Sequence, residues 1–328
     1  MKRREFITFL GGAAAVWPLA ARGQPIGRPA RVGLFASDPE NPVMGPASAA
    51  FLDELRKLGF TDGQNLIIDR KSTAQHLDAL VTQALEMARA SSDVLVALGS
   101  ETTLQACARA SQSIPIVFVA NNYDPIARGY VNSLRRPGGN ITGVFLRQTE
   151  LAQKQVEILK EALPDRTRLA VLWDAISADQ FEAAEQRAKL LQLVVHSHKM
   201  KNPPYDIPAA FRSIADRRAD MLLVLSSQFL ARHRDQLAAH AIGERIPTMF
   251  IFKAYVQAGG LLSYGVDNVA MYRHGATFVS RILRGAKPAD LPVELPTKYE
   301  MSVNLKTAKA IGVELPTSIL LRADEVIE

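Results

Sequence analysis

The residues best suited to bind a small molecule follow directly after short apolar runs of the sequence. The clearest case is the segment 99–103, Gly-Ser-Glu-Thr-Thr, which joins the apolar run 94–98 to a helical pattern over 102–111. Free backbone N–H groups and hydroxyls at the start of a helix favour a carboxylate or another anion. Ser100 and Thr102 are equally typical of helix N-caps, and a cap residue that faces a cleft can serve both purposes.

Other polar and aromatic residues follow the remaining apolar runs. In an open parallel sheet the ligand lies beyond the carboxyl ends of the strands. Carboxylates there can accept from an ammonium or hydroxyl group, and rings offer flat apolar surface. A single Asp at such a place is also typical of a turn or cap, and Phe250 is equally typical of a core. The candidate ligand-binding residues are Ser37, Asp38, Ser100, Thr102, Thr103, Tyr123, Asp124, Trp173, Ser226, Ser227, Phe250, Tyr264 and Asp267.

Motifs for catalysis or metal binding are absent from the sequence. It contains no Gly-x-Gly-x-x-Gly after a strand, no Gly-Lys-Ser/Thr phosphate loop and no Gly-x-Ser-x-Gly elbow. His196 and His198 lie two apart on one predicted strand, but no nearby cluster completes a metal site. Cys107 is the single cysteine, so it can form neither an internal disulfide nor a Cys-x-x-Cys motif. We expect a buried Cys107, no catalytic residues, no cofactor and no metal.

Strand and helix patterns alternate over nearly the whole chain. The strand-like runs of a first block are 31–36, 65–70, 94–98 and 116–120, and a second block repeats the alternation from 150 to 252. Runs that are apolar throughout, such as 94–98 and 221–225, are typical of parallel strands between two helix layers. The alternation predicts an α/β fold with parallel sheets.

Two blocks of this size fit two Rossmann-like lobes. A turn-rich stretch at 136–140 separates them, and later segments return to each block in turn. We assign 31–143 and 262–290 to lobe 1, and 144–261 and 291–328 to lobe 2. Several crossings of this kind predict a multi-strand hinge with a cleft between the lobes.

The basic charge of the chain is concentrated at its start. The formal net charge is +6, and residues 1–23 hold four Lys or Arg against one Glu, so half of that charge lies there. No basic cluster with interleaved aromatic residues occurs elsewhere, and we expect no nucleic-acid partner.

Residues 1–24 show the three parts of an export signal: a positive start, an apolar middle and a small-residue end. Arg3 and Arg4 precede an apolar pair, as in twin-arginine signals. The interpretation predicts cleavage after Gly23, an export translocase as partner and a periplasmic location. The alternative is an N-terminal amphipathic helix of the mature fold.

A set of local motifs extends over essentially the whole mature chain. They are Arg-Arg-Glu-Phe-Ile at 3–7, Ile-Pro-Ile-Val-Phe at 114–118, Asn-Tyr-Asp-Pro at 122–125, Arg-Pro-Gly-Gly-Asn-Ile-Thr-Gly at 136–143, Ala-Gly-Gly-Leu-Leu-Ser-Tyr-Gly at 258–265, Gly-Ala-Lys-Pro-Ala-Asp-Leu-Pro at 285–292, and the stretch 304–327. In these motifs the sequence resembles the periplasmic solute-binding proteins of ABC transporters, which have the type I periplasmic-binding fold. More narrowly, it resembles a family that includes tryptophan-binding lipoproteins.

The resemblance implies a monomeric receptor that closes on a small organic molecule and delivers it to a membrane permease with its ATPase. It favours an amino acid, an aromatic one in particular, as ligand. Two departures lie where a ligand would be recognised: relatives often carry an Asn/Pro-rich loop at 173–177 and an acidic residue near Ser227. Ligand identity therefore does not transfer, and small carboxylates and sugars stay open. A ligand-sensing module for a membrane receptor and a periplasmic α/β enzyme are the alternative functions.

Overall fold

The first lobe is built on a five-stranded parallel sheet. The computed structural model describes residues 28–38, 41–73, 77–201 and 204–328; the predicted export signal and its cleavage site lie outside these ranges. The strands have the order β2-β1-β3-β4-β5 and are β1 (Ala30–Ala36), β2 (Leu66–Ser72), β3 (Val94–Gly99), β4 (Ile116–Ala120) and β5 (Ile141–Phe145). Residues 94–98 are all buried, as expected for a strand between two helix layers.

Helices cover both faces of this sheet. They are α1 (Met44–Lys57), α2 (Leu77–Arg89), α3 (Glu101–Ala110) and, from much later in the chain, α10 (Asn268–Leu283). On α1, Ala47, Phe51 and Leu55 are buried at helical spacing, and the helix ends before Gly59. Cys107 of α3 is fully buried, as predicted, and burial raises the pKa of its thiol to about 12.

The second lobe is built on a seven-stranded sheet. Its order is β12-β11-β10-β9-β8-β6-β7, and only the pair β10–β11 is antiparallel within the described ranges. The strands are β6 (Arg168–Trp173), β7 (Val194–Lys199), β8 (Met221–Val224), β9 (Thr248–Phe250), β10 (Leu262–Val266), β11 (Tyr299–Asn304) and β12 (Glu325–Ile327). The helices of this lobe are α4 (Gln148–Ala162), α5 (Ala178–Leu190), α6 (Ile207–Asp216), α7 (Gln228–Ala231), α8 (Arg234–Gly243), α9 (Lys253–Gln257), α11 (Leu305–Ile311) and α12 (Thr317–Arg322).

The chain crosses between the lobes three times: between β5 and α4, between β10 and α10, and between residue 294 and β11. After α10 the chain stays on the first lobe, where Glu294 N donates to Gly143 O at 3.0 Å and Thr142 Oγ1 donates to Leu291 O at 2.7 Å. None of the helices within the described ranges is long and apolar enough to cross a bilayer.

Two of the predicted lobe boundaries differ from the structure. Residues 262–290 were assigned to lobe 1, yet β10 pairs with β9 and β11 in the sheet of lobe 2. The return segment 291–294 was assigned to lobe 2, but it lies against β5 of lobe 1. The first difference has a physical reason: burial makes a strand apolar whichever sheet it joins, so the pattern does not reveal the partner of β10.

Candidate functional site

The carboxyl ends of strands from both sheets meet at a cavity between the lobes. We call it the inner cavity. Its volume is about 10 Å³, room for a single water molecule, and its lining residues are Ser37, Met44, Gly99, Ser100, Asn121, Asn122, Ser226 and Gln228. In the first lobe, Ser37, Ser100 and Asn121 each come directly after the last residue of a strand. This is the place where open α/β sheets bind ligands.

Gly99 and Ser100 turn the chain from β3 into α3. Gly99 has a φ of +94°, a left-handed conformation that glycine adopts without steric cost. Ser100 is the N-cap residue, but its side chain does not cap the helix; its Oγ lies 2.8 Å from Thr102 Oγ1. Backbone N–H groups at the start of α3 and two hydroxyls thus face the same region, which is a favourable environment for an anion.

Asn121, which lines the inner cavity, has a buried side-chain oxygen without a hydrogen-bond partner. Only 4% of the residue is exposed, and its Nδ2 donates to Tyr272 Oη at 3.1 Å and to Asn268 Oδ1 at 3.3 Å. Its Oδ1 has no hydrogen-bond partner among the described residues, and the same holds for Oδ1 of Asn122. A buried oxygen without a donor costs free energy, so a donor on a bound molecule would stabilise the site.

A second cavity, here the outer cavity, lies beside Asn122 and opens to solvent. Its volume is about 230 Å³, and Thr102 and Gln105 of α3 line it together with Ala175, Ile176, Ala178 and Asp179 of lobe 2. Arg128 of lobe 1 also lines it and lies between two acids, with Nη2 at 2.6 Å from Asp179 Oδ2 and Nε at 3.3 Å from Glu101 Oε2.

A second ion pair joins the lobes at another edge of the cleft. Arg232 Nη2 of lobe 2 lies 2.8 Å from Asp38 Oδ2 of lobe 1. This hydrogen bond holds the pKa of Asp38 below its usual value. Beside it, Arg234 Nη1 donates to Pro42 O at 3.2 Å. The lobes therefore contact each other around the inner cavity, which is the closed arrangement.

Five of the residues predicted from the sequence lie at this interface. Ser37, Ser100 and Ser226 line the inner cavity, and Thr102 lines the outer one. Asp38 contacts the opposite lobe through Arg232.

The side chains of four other predicted polar residues form hydrogen bonds in turns or helix caps within their own lobe. Thr103 Oγ1 donates to Ser100 O at 2.6 Å. Asp124 Oδ1 accepts from Ile126 N at 2.8 Å, and Asp267 Oδ1 accepts from Ala270 N at 3.0 Å at the start of α10. Ser227 caps α7 and donates to the buried Asp174. These are the turn and cap roles that such residues commonly have.

The four predicted aromatic residues lie outside the lining of both cavities. Trp173 stacks on Phe181 with ring centroids 4.5 Å apart, and its Nε1 donates to Ser197 Oγ at the edge of the sheet. The other three rings also pack on neighbouring rings: Phe250 stacks on Tyr255, Tyr264 stacks on Tyr299, and Tyr123 contacts Phe118 at a tilt and Tyr130 edge-on.

Lining residues that are not among the predicted ligand-binding residues include Met44, Asn121, Asn122 and Gln228. For Asn121 a signal exists: it occupies the position directly after a strand that Ser37 and Ser100 also occupy. For the bridging residues Arg128 and Arg232 we find no signal in the sequence. No group of three His, Cys, Asp or Glu in the described part of the chain is arranged to hold a metal ion.

Comparison with known proteins identifies the family. Residues 39–327 match the family model of ABC transporter substrate binding proteins. A tyrosine-binding protein of Clostridioides difficile is 23% identical over 285 residues, which are 84% of this chain and 79% of that protein.

Solved structures agree with this assignment at the level of the fold. A conserved domain protein from Vibrio cholerae superposes with a TM-score of 0.82 and 25% identity, covering 91% of this chain and 100% of that one. An ABC domain from Streptococcus pneumoniae in complex with L-Trp has a TM-score of 0.80, 24% identity and the same coverage, 91% and 100%. The predicted two-lobed α/β fold of type I periplasmic binding proteins is confirmed. Since the family model matches most of its length, the chain belongs to the ABC transporter substrate-binding protein family.

Proposed function

We propose that the protein is the solute receptor of an ABC importer and binds a small organic molecule between the lobes, in the cleft to which the inner and outer cavities belong. The observation that carries this proposal is the unpaired, buried Oδ1 of Asn121 in a cavity that both lobes line. Ser37, Ser100 and Asn121 would bind the molecule from lobe 1, and Ser226 and Gln228 from lobe 2. A ligand that contacts both lobes stabilises the closed state through its higher affinity for that state.

The remaining parts of the proposal concern location and partners. The protein acts outside the cytoplasm, after cleavage of the export signal behind Gly23, and passes its ligand to a membrane permease with an associated ATPase. A mature N-terminus at Gln24, measured by the mass of the exported protein, tests the cleavage site. We propose a binding role rather than catalysis, because the lining of the inner cavity contains no nucleophile–base pair.

The chemistry of the site fits a carboxylate ligand. The start of α3 favours an anion, and the oxygens of Asn121 and Asn122 require a donor. The Clostridioides difficile relative is a tyrosine-binding protein and the Streptococcus pneumoniae structure holds L-Trp, so amino acids belong in any ligand panel.

Thermal-shift screening of the mature protein against metabolites tests the proposal. A ligand at 100 times its dissociation constant adds about 2.7 kcal/mol of stability, which gives a clear shift. The variant Ser100→Ala should then bind the ligand about tenfold more weakly, since a hydrogen bond to a charged oxygen contributes about 1.5 kcal/mol or more.

The control is Ser213→Ala, because Ser213 is exposed on α6, away from the cleft. It should bind with unchanged affinity. If no metabolite shifts the melting temperature, or if both variants bind like the parent protein, the proposed site or function is wrong.

A further inference from the structure

The outer cavity has two chemically different walls. Its volume of about 230 Å³ lies slightly below that of typical small-molecule sites, so it suits a small solute. The described lining residues from lobe 1 all carry hydrogen-bonding or charged side chains, whereas lobe 2 contributes the aliphatic Ala175, Ile176 and Ala178 beside Asp179. A molecule held between the lobes therefore meets hydrogen-bonding groups on one side and hydrocarbon on the other.

Two neutral amides in the lobe 1 wall are available to such a molecule. Gln105 lies one turn after Thr102 on the same face of α3, and its half-buried amide forms no hydrogen bond with the described residues. Asn122 Nδ2 donates across the cleft to Ile176 O at 3.4 Å, but its buried Oδ1 has no donor. A ligand without a hydrogen-bond donor would leave this oxygen buried and unpaired.

The charged residues of the outer cavity disfavour a ligand end of either sign. Arg128 lies between Glu101 and Asp179 and pairs with both carboxylates. Tyr130 Oη donates to the other oxygen of Glu101 at 3.3 Å, so both oxygens of that carboxylate have partners. An anionic group placed here meets two carboxylates, and a cationic group meets the guanidinium. An uncharged polar group avoids both repulsions.

The ring that precedes the lobe 2 wall is already engaged within its own lobe. Trp173 stacks on Phe181 with ring centroids 4.5 Å apart, and Lys199 Nζ lies 4.7 Å from the centroid of the Trp173 ring. Ala175 and Ile176 line the cavity instead. An aromatic ligand side chain would thus pack on aliphatic and polar groups, without the stacking that a ring provides.

We infer that the outer cavity selects amino acids with an uncharged amide side chain, glutamine or asparagine, over their acidic, aliphatic and aromatic counterparts. The ligand amide donates to Asn122 Oδ1 and pairs with the amide of Gln105, while its methylene groups lie against Ile176. A site built to form hydrogen bonds rejects an isostere that lacks them, because the polar groups of the site stay unpaired. This inference rests on the proposed receptor function and specifies its ligand class.

Two series of L-amino acids with similar shapes test it on the mature protein by isothermal titration calorimetry. One series is asparagine, aspartate and leucine, and the other is glutamine, glutamate and methionine; tyrosine and tryptophan serve as aromatic probes. In at least one series the amide should bind, and at least about tenfold more tightly than the acid, the aliphatic member and both aromatic probes. An acidic, aliphatic or aromatic probe that binds as tightly as the amides would overturn the inference.

Two further outcomes separate this inference from the proposed function. If another solute binds and neither amide does, the ligand class is wrong and the receptor proposal stands. If no solute of the wider panel binds, the receptor proposal itself fails, and the inference fails with it.

A variant of the lobe 1 wall gives an independent readout. Gln105→Leu removes the free amide from α3 and should lower the affinity ratio of glutamine to methionine, or of asparagine to leucine, by about fivefold or more. Gln186→Leu makes the same change at an exposed position of α5 and should leave the ratio unchanged. A ratio that both variants keep, or that falls equally in both, with melting temperatures that show them folded, would overturn the role of Gln105 in selection.

Discussion

Gly99 controls the geometry of the anion-binding turn more directly than any hydroxyl does. Its φ of +94° lies in a region that residues with a Cβ rarely adopt, while an added Cβ would meet only Tyr272 Oη at 3.5 Å. The strain of Gly99→Ala is therefore in the backbone, at about 1–2 kcal/mol. We expect a lower free energy of unfolding and, because relaxation rotates the start of α3, at least tenfold weaker ligand binding by calorimetry.

Gly312→Ala is the matched control for this prediction. Gly312 has a φ of +74° at the end of α11, and an added Cβ there meets nothing within 4 Å. It should lose similar stability in urea denaturation and keep the parent affinity. Equal affinities for both variants would mean that the turn at Gly99 does not position the ligand.

The buried His198 on β7 makes the stability of the fold depend on pH in the acidic range. It is 8% exposed, and burial lowers its pKa from 6.5 to about 4, with the cation of Arg217 as a second cause. Between these pH values the unfolded chain binds a proton that the folded chain does not bind. Stability is thus complete above about pH 6.5 and falls as the pH approaches 4.

Across this pH window the free energy of unfolding should fall by roughly 2–3 kcal/mol, at about 1.4 kcal/mol per pKa unit. Urea denaturation at pH 7 and pH 4.5 measures it. His198→Gln removes the titrating group, so its stability should depend less on pH by that amount. Parallel pH curves for the variant and the parent protein would contradict the assignment.

Single residues show how far the sequence predicts the site. Ser37, Ser100 and Ser226 were predicted because the ends of parallel strands meet at one edge, a rule that needs no tertiary information. The rings of Trp173 and Phe250 were chosen for their type and for their place at the ends of apolar runs. Their direction depends on which face of the strand they occupy and on what covers it, and successive side chains alternate between faces.

At the scale of elements, α10 approaches the first sheet closely at Gly275. A Cβ on Gly275 of α10 would lie 2.4 Å from Cγ2 of Val119 on β4, and a stiff β-branched side chain cannot move aside cheaply. We expect Gly275→Ala to destabilise the protein by about 1–2 kcal/mol, because overpacking outweighs the gain in helix propensity.

Gly243→Ala provides the comparison, since Gly243 is the last residue of α8 and an added Cβ meets nothing within 4 Å. The same substitution there should raise the melting temperature slightly or leave it unchanged. If Gly275→Ala is as stable as Gly243→Ala, α10 is not packed as closely as the structure indicates.

The elements themselves were predictable from periodicity, but their partners were not. The spacing of Ala47, Phe51 and Leu55 and the stop at Gly59 define α1 from the sequence alone. The sheet to which β10 belongs depends on pairing with β9 and β11, which local hydrophobicity does not encode.

For the whole molecule, the ion pairs Arg128–Asp179 and Arg232–Asp38 bias the equilibrium between open and closed lobes. Both are partly exposed, and such pairs contribute about 0.2–1 kcal/mol each. The double variant Arg128→Gln, Arg232→Gln should therefore bind ligand about two- to thirtyfold more weakly. Small-angle scattering should show a larger radius of gyration for the ligand-free variant than for the ligand-free parent.

Arg322→Gln is the control, because Arg322 pairs with Glu161 within lobe 2 at similar exposure. It should change neither the radius of gyration nor the affinity. A double variant as compact as this control would show that the two pairs do not hold the lobes together.

Because α10 packs on α1, the first lobe can finish folding only after α10 has been synthesised. The first lobe holds β1, the first strand of the described residues, yet one of its helices comes from residues 268–283. A nascent chain that has released only β1 to β5 leaves the α10-facing side of α1 uncovered, and contacts between such distant segments form slowly. The lobe that emerges first from the ribosome is thus finished only when most of the chain has followed, and until then its apolar surface is a natural substrate for chaperones.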